Sequence, residues 1–208
     1  MQRLQGLLPL ERGQNAYGAQ VRELHRNILR SFVIRGRILT RNEMAQHVSK
    51  LEDAVKVLGD RGMVIFSGEG DPVGAYPFTM EAREHRVRIN GYQVYAMCAL
   101  DALAISPMFG MQTQIDSCCR ITGAPVTIRQ SGKTIENPDE AGALHFGIDW
   151  GAADADASCA DSLCLEMMFL RNSDVGRRWL GEDSRNREIF TLPEAVDFAG
   201  RFFLPLVS

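Results

Sequence analysis

The stretch YAMCALDALAISP, residues 95–107, constrains the fold of this chain more than any other. Nearly everything in it is apolar, so it belongs in a core, yet it carries Cys98 and, three residues on, Asp101. On a helix, residues three and four apart are surface neighbours, so the thiol and the carboxyl share one face. Withdrawing a carboxylate from water is costly, and the usual response is a raised pKa. Such an aspartate carries its proton near neutrality and can donate it. The plainer alternative is an aspartate at a helix end or turn that only accepts backbone hydrogen bonds.

With 208 residues and 45% hydrophobic content, the chain can bury one large core or a small domain attached to a larger one. A net charge of −3 argues against a broad nucleic-acid or anionic-membrane surface. Only a short apolar patch precedes Glu11 and Arg12, less than the core of a secretory signal, and no apolar run reaches the length of a bilayer span. The expectation is a soluble, cytoplasmic protein whose partner is a small molecule or another protein, with no nucleic acid and no membrane. The five cysteines, an odd number without an export signal, read as reduced thiols rather than a disulfide framework.

The pattern changes near residue 80. Before it, Val21, Leu24, Ile28, Leu29 and Phe32 recur at helical spacing. Thr40–Glu43 and Ser49–Glu52 match the capping box, predicting helices over 41–48 and 50–61. MVIFSGEGDPVGAYPFT then reads as strand, turn and return strand. Helices followed by a ribbon outline a winged helix, but charges cancel on the second helix (Lys50, Lys56 and Arg61 against Glu52, Asp53 and Asp60), where a DNA reader needs basic excess. A structural role is favoured.

Beyond residue 80, HRVRI, MQTQIDSC, APVTIRQSGKTI with a Ser131-Gly132 turn, and ALHFGI read as strands. LCLEMMFL reads as a strand covered on both faces, with Glu166 on the face of Cys164. Thr191 to Glu194 is a third capping box, opening a closing helix. The expected class is α+β: a helical, winged-helix-like domain over 1–80 and a mixed-sheet catalytic domain with flanking helices over 81–208.

Any one cysteine is most simply a small buried residue. Adjacent Cys118 and Cys119 point to opposite faces of a strand and cannot readily chelate one metal. Cys159 and Cys164, five apart, fit neither a zinc ribbon nor a redox motif. His145 has no local signature of a catalytic base.

YAMCALDALAISPMFG followed by IDSCCRITGAPVTI resembles the organomercurial (alkylmercury) lyases, in which a Cys-Ala-Leu-Asp segment precedes a Cys-x-x-Thr-Gly-Ala-Pro-Val segment. The likeness is close over residues 92–127 and looser over most of the chain. It implies protonolysis of a carbon–mercury bond, giving a hydrocarbon and Hg(II). Cys98 falls on the first catalytic cysteine, Asp101 on the catalytic aspartate and Cys164 on the second cysteine, with Cys159 as fallback; Cys119 falls on a cysteine that looks structural. Mercury is a soft cation and thiolates are soft ligands, so the product metal would rest on Cys98 and Cys164. The resemblance implies no required cofactor, external thiols for turnover, and a mercuric reductase as metal acceptor.

The chain departs from the family pattern at Met97, where tryptophan is usual, at Glu166, which would alter the charge of the pocket, and in the extra thiols Cys118 and Cys159. Substrate identity is thereby left open to organotin or organolead compounds. Two other classes compete: a non-catalytic thiol carrier of heavy metal, supported by the surplus cysteines but needing no Asp101, and a metal-responsive winged-helix regulator, opposed by the neutral second helix.

Overall fold

Recurring apolar residues make the first third of the chain helical. The structure, a computed structural model, describes residues 1–154 and 156–208. Two short helices, α1 (Gln2–Leu7) and α2 (Leu10–Asn15), lean on the core through Leu4 and Leu10. Six residues each are too few to show a periodicity, which is why neither is anticipated from the sequence. α3 (Ala19–Arg35) buries Leu24, Ile28, Leu29 and Phe32 along one stripe, as their spacing predicts. It ends at Gly36, whose φ of 69° is left-handed and whose bare Cα makes room for Tyr92: a Cβ there would lie 2.8 Å from the ring.

Thr40 and Glu43 form the expected capping box, but α4 (Arg41–Met44) is a single turn and does not reach Val48. The bonds of Gln46 to Glu43 and His47 to Met44 tighten the chain out of α-helix. α5 (Leu51–Asp60) forms without the Ser49 box. Ser49 instead reaches the Gln20 side chain, and Glu52 pairs with Arg41. Both would-be capping partners are engaged elsewhere.

Strands β1 (Ile65–Phe66), β2 (Pro72–Ala75) and β3 (Phe78–Thr79) follow. β4 (His85–Ile89) and β5 (Tyr92–Ala96) are joined at Asn90-Gly91, both at positive φ, as a two-residue primed turn requires. After α6 (Ala99–Phe109) come β6 (Gln112–Cys118), β7 (Pro125–Ser131) and β8 (Thr134–Ile135). Together these strands form an eight-stranded sheet in the order β1-β2-β3-β5-β4-β6-β7-β8. The ribbon from the first 80 residues is therefore hydrogen-bonded, through β3 and β5, to the strands that follow.

α7 (Pro138–Ala141) leads to β9 (His145–Asp149), which sits between β10 (Met167–Leu170) and β11 (Arg187–Thr191) in a second sheet; α8 (Ser173–Glu182) connects the outer two strands. α9 (Leu192–Phe203) opens with the expected Thr191–Glu194 box. Both sheets are antiparallel rather than mixed. Hairpin turns join most sequential neighbours, and parallel pairing would need long crossovers. The parallel exception among the described residues is an isolated bridge, Cys119 to Phe169, between the sheets.

α6 is apolar on every side and lies at the centre, buried from Ala99 to Ser106 against α9 and both sheets. Phe78 stacks on Phe32 at 4.6 Å and meets Phe109 at 5.9 Å, linking α3, β3 and α6. No helix among the described residues is long and apolar enough to cross a membrane.

Candidate active site

Cys98 is the N-cap of α6. Its backbone is extended, and its Sγ accepts the Asp101 N–H at 3.4 Å, a position usually filled by the oxygen of Ser, Thr, Asp or Asn. Asp101 therefore lies in the first helical turn, where the helix dipole favours negative charge. The helix-end alternative holds for its position, yet it leaves one carboxyl oxygen unexplained. Asp101 is 1% exposed and its Oδ2 has no hydrogen-bond partner among the described residues. A buried acceptor left bare is costly unless it is protonated or meets a ligand.

The second cysteine arrives from far along the chain. Cys164 does not begin a strand: Leu163–Glu166 form a short 3-10 turn closed by Leu165 N–H to the Ser162 carbonyl, and β10 starts only at Met167. The turn carries Cys164 inward, 2% exposed. The Sγ atoms of Cys98 and Cys164 and a carboxyl oxygen of Asp101 all lie within 4.8 Å of one another. Glu166, by contrast, does not share the face of Cys164; it is half-exposed and lies 3.8 Å from Arg120, so its charge is answered there.

Burial dominates the electrostatics. Loss of water pushes Asp101 up to about 7, against the opposing pull of the Cys98 thiol and N–H and the Arg83 charge. Burial also pushes the Cys98 thiol well above its usual range, with Cys164 and Asp101 adding to the effect. Cys159 sits on a neighbouring 3-10 turn, Cys159–Asp161, and is pushed up to about 12 by burial and by the nearby Cys164 and Asp101. It is partly exposed and outside the three-residue cluster.

Two neighbours escape sequence reasoning. Tyr76 is 2% exposed, and burial, then Cys164, Asp101, Cys159 and Cys98, raise its phenol, keeping it a neutral donor beside all four groups. Met167 places its Sδ 3.5 Å from Cys98 Sγ. No local motif marks either residue; only the tertiary fold brings them in.

A cavity of about 250 Å³, lined by Phe66, Val73, Thr79, Arg83, Met97 and Ala160 among others, includes the sequence neighbours of Cys98 and Cys159 in its wall. Met97 packs on the bare Cα of Gly74, where a Cβ would come within 3.0 Å of its methyl. A larger cavity of about 330 Å³ lies between α1, α2 and Phe202 and holds none of the cysteines.

The remaining sequence candidates stand apart. Cys119 is buried, and hydrogen bonds from Thr122 and from the backbones of Arg171 and Ile121 outweigh burial to lower its pKa. Partly exposed Cys118 is raised by burial and by Glu84. His145 bonds the Ala143 carbonyl at 3.0 Å. His25 and His85 are buried and pushed down to about 4 by loss of water, so both are neutral. No histidine joins the cluster among the described residues.

Comparison with known proteins gives a consistent result. The family model described as MerB, alkylmercury lyase, matches residues 78–204. An alkylmercury lyase of Streptomyces lividans is 26% identical over 163 residues, covering 74% of this chain and 70% of that protein. One from Bacillus cereus is 27% identical over 148 residues, covering 71% and 66%. The crystal structure of the mercury-bound form of MerB2 shares the fold, with a TM-score of 0.76, 20% identity and complete coverage of both chains.

Proposed function

This chain belongs to the alkylmercury lyase family, a lyase of the kind that cleaves carbon–mercury bonds, and we propose that it does so by protonolysis with Cys98, Cys164 and Asp101. The observation that carries the reading is a buried carboxyl with a bare oxygen and a pKa near 7, set within 4.8 Å of two buried thiols. Metal sequestration alone has no need of such a group.

The chemistry follows from the neighbours. An organomercury cation reaching the cluster exchanges its outside ligand for the Cys98 sulfur. Mercury displaces the thiol proton, which leaves with the outside ligand, since thiolates, not thiols, are metal ligands. Asp101, with a pKa of about 7, carries a proton of its own in about half of the molecules at neutrality and lies within 4.8 Å of both sulfurs. As the Cys164 sulfur joins the metal, it adds electron density to the mercury-bound carbon; the proton on Asp101 passes to that carbon, and the Cys164 proton replaces it on Asp101. The C–Hg bond breaks, a C–H bond forms, and Hg(II) stays on two thiolates. A well-placed general acid is worth roughly 10²–10⁴ in rate. Two exchanges with external thiols would then free the metal for an acceptor such as a mercuric reductase.

Five free thiols suit a reducing compartment, and a cytoplasmic location is part of the proposal. In this reading residues 1–80 are a winged-helix-like part that also lends Tyr76 and the cavity wall at Phe66, Val73 and Thr79, and residues 81–208 carry the cysteines and Asp101. No resident cofactor is required. Met97 in place of the usual tryptophan leaves the preferred organic group to the shape of the 250 Å³ cavity, organotin and organolead included.

The test is hydrocarbon release from phenylmercury and methylmercury by reduced protein in excess thiol, beside Cys98→Ser. Several equivalents of benzene or methane, absent with the variant, support the lyase. Tight stoichiometric metal uptake without hydrocarbon would make it a carrier.

A further inference from the structure

Position 167 lies on a strand whose two faces have different tasks. Along β10, Met167 and Phe169 join the main core with α6, whereas Met168 and Leu170 turn to a smaller cluster with Val175 and Trp179. Pairing of Met167 with Ile148 of β9 fixes the register. Met167 is 2% exposed, and its thioether is 3.5 Å from the sulfur of Cys98, itself 1% exposed. A methionine that merely filled a gap would need only apolar contacts, which leucine supplies equally well. This one aims its sulfur at the thiol that is to receive the metal.

We propose that the Met167 thioether is a third soft sulfur of the site, which holds mercury in place once it is bound to Cys98. The inference rests on the lyase reading above. Soft metals accept thioether as well as thiolate sulfur. A thioether is neutral, so it joins the metal without releasing a proton and without breaking either thiolate bond. Its electron pair adds to that of Cys164 in enriching the metal-bound carbon. It also binds less firmly than a thiolate, so it does not trap the product.

Protein labelled with methyl-13C methionine tests this directly. Of its nine methionine methyls, the one missing from Met167→Leu is assigned to position 167. One equivalent of Hg(II) added to protein lacking the side thiols (Cys118→Ser, Cys159→Ser) should move that resonance well beyond the change at Met168, which faces the other way. X-ray absorption at the mercury edge should show a third, longer sulfur shell that is lost in Met167→Leu. In single turnover, Met167→Leu should capture phenylmercury on Cys98 as fully as the parent but release benzene about tenfold more slowly, or roughly 1.4 kcal/mol in the barrier. A two-sulfur mercury shell in the parent protein overturns the proposal whether or not the variant folds, and an unmoved Met167 methyl overturns it once the folded variant has assigned the resonance. So does parental benzene release by a folded Met167→Leu. If the parent protein releases no benzene at all, the lyase reading fails, while the sulfur shell still decides the role of Met167.

Discussion

Asp101→Asn isolates the ionisation of one buried carboxyl. In the folded protein this group titrates at about 7 instead of its ordinary 3.8, because burial strips it of water. The gap of about 3 pH units, at about 1.4 kcal/mol each, amounts to about 4 kcal/mol. Below about pH 4 both folded and unfolded chains hold the proton, and ionisation favours neither. As the pH rises toward 7, the unfolded chain ionises while the folded one does not, and the wild type loses stability at each step. Above the folded pKa the loss is complete. Asparagine has no proton to lose, so the stability of the variant relative to wild type should rise by about 4 kcal/mol between about pH 4 and pH 8. Exchanging acid for amide beside an unpartnered oxygen position adds an offset that does not vary with pH. His25 and His85 titrate alike in both proteins and cancel in the difference. Urea unfolding with reductant, followed by circular dichroism at several pH values, measures this directly. A difference that stays flat with pH would refute the assignment of a desolvated, late-titrating Asp101. The same variant should capture organomercurial and cleave it at least 10²-fold more slowly.

Other expectations are equally specific. Cys98→Ser and Cys164→Ser should each abolish hydrocarbon release, while Cys118→Ser, outside the cluster, should keep it; full activity in Cys164→Ser would move the second thiol to Cys159. Because the proton-bearing form of Asp101 makes the product, turnover should be level below its pKa of about 7 and fall as the pH rises through it, a profile missing if another group is the donor. His25, pushed down to about 4 by burial, takes up its proton later than in the unfolded chain. Its stabilising share is therefore present above 6.5 and lost toward pH 4, by about 3 kcal/mol, and His25→Gln should flatten that acid limb in urea titrations. Phe78→Ala, which removes the ring between α3 and α6, should cost about 3–5 kcal/mol in the same assay.

What could be foreseen depended on whether the deciding interaction was local. The stripe of α3, the Thr40 and Thr191 boxes and the alternation of HRVRI are local, and all are present. Ser49 also matched a capping box, but Gln20 and Arg41 lie close only in the folded chain and draw its partners away. The apolar run 163–170 carries no period that separates a strand from a turn, so the inward tuck of Cys164 was not legible. For the candidate site, the spacing of Cys98 and Asp101 announced a shared face, whereas their meeting with Cys164, Tyr76 and Met167 comes from the packing of α6 between two sheets. The same spacing did not show that Cys98 caps the helix rather than lying within it, because helix boundaries are the least readable part of a sequence.

In the proposed reaction a protein-borne proton replaces mercury on carbon while the metal remains on two thiolates. Gas chromatography with mass detection on a single turnover of phenylmercury in D₂O tests both halves at once. One equivalent of singly deuterated benzene should appear in the headspace for each Hg(II) retained by the protein. Phenylmercury recovered intact on the cysteines, with no benzene released, would contradict it.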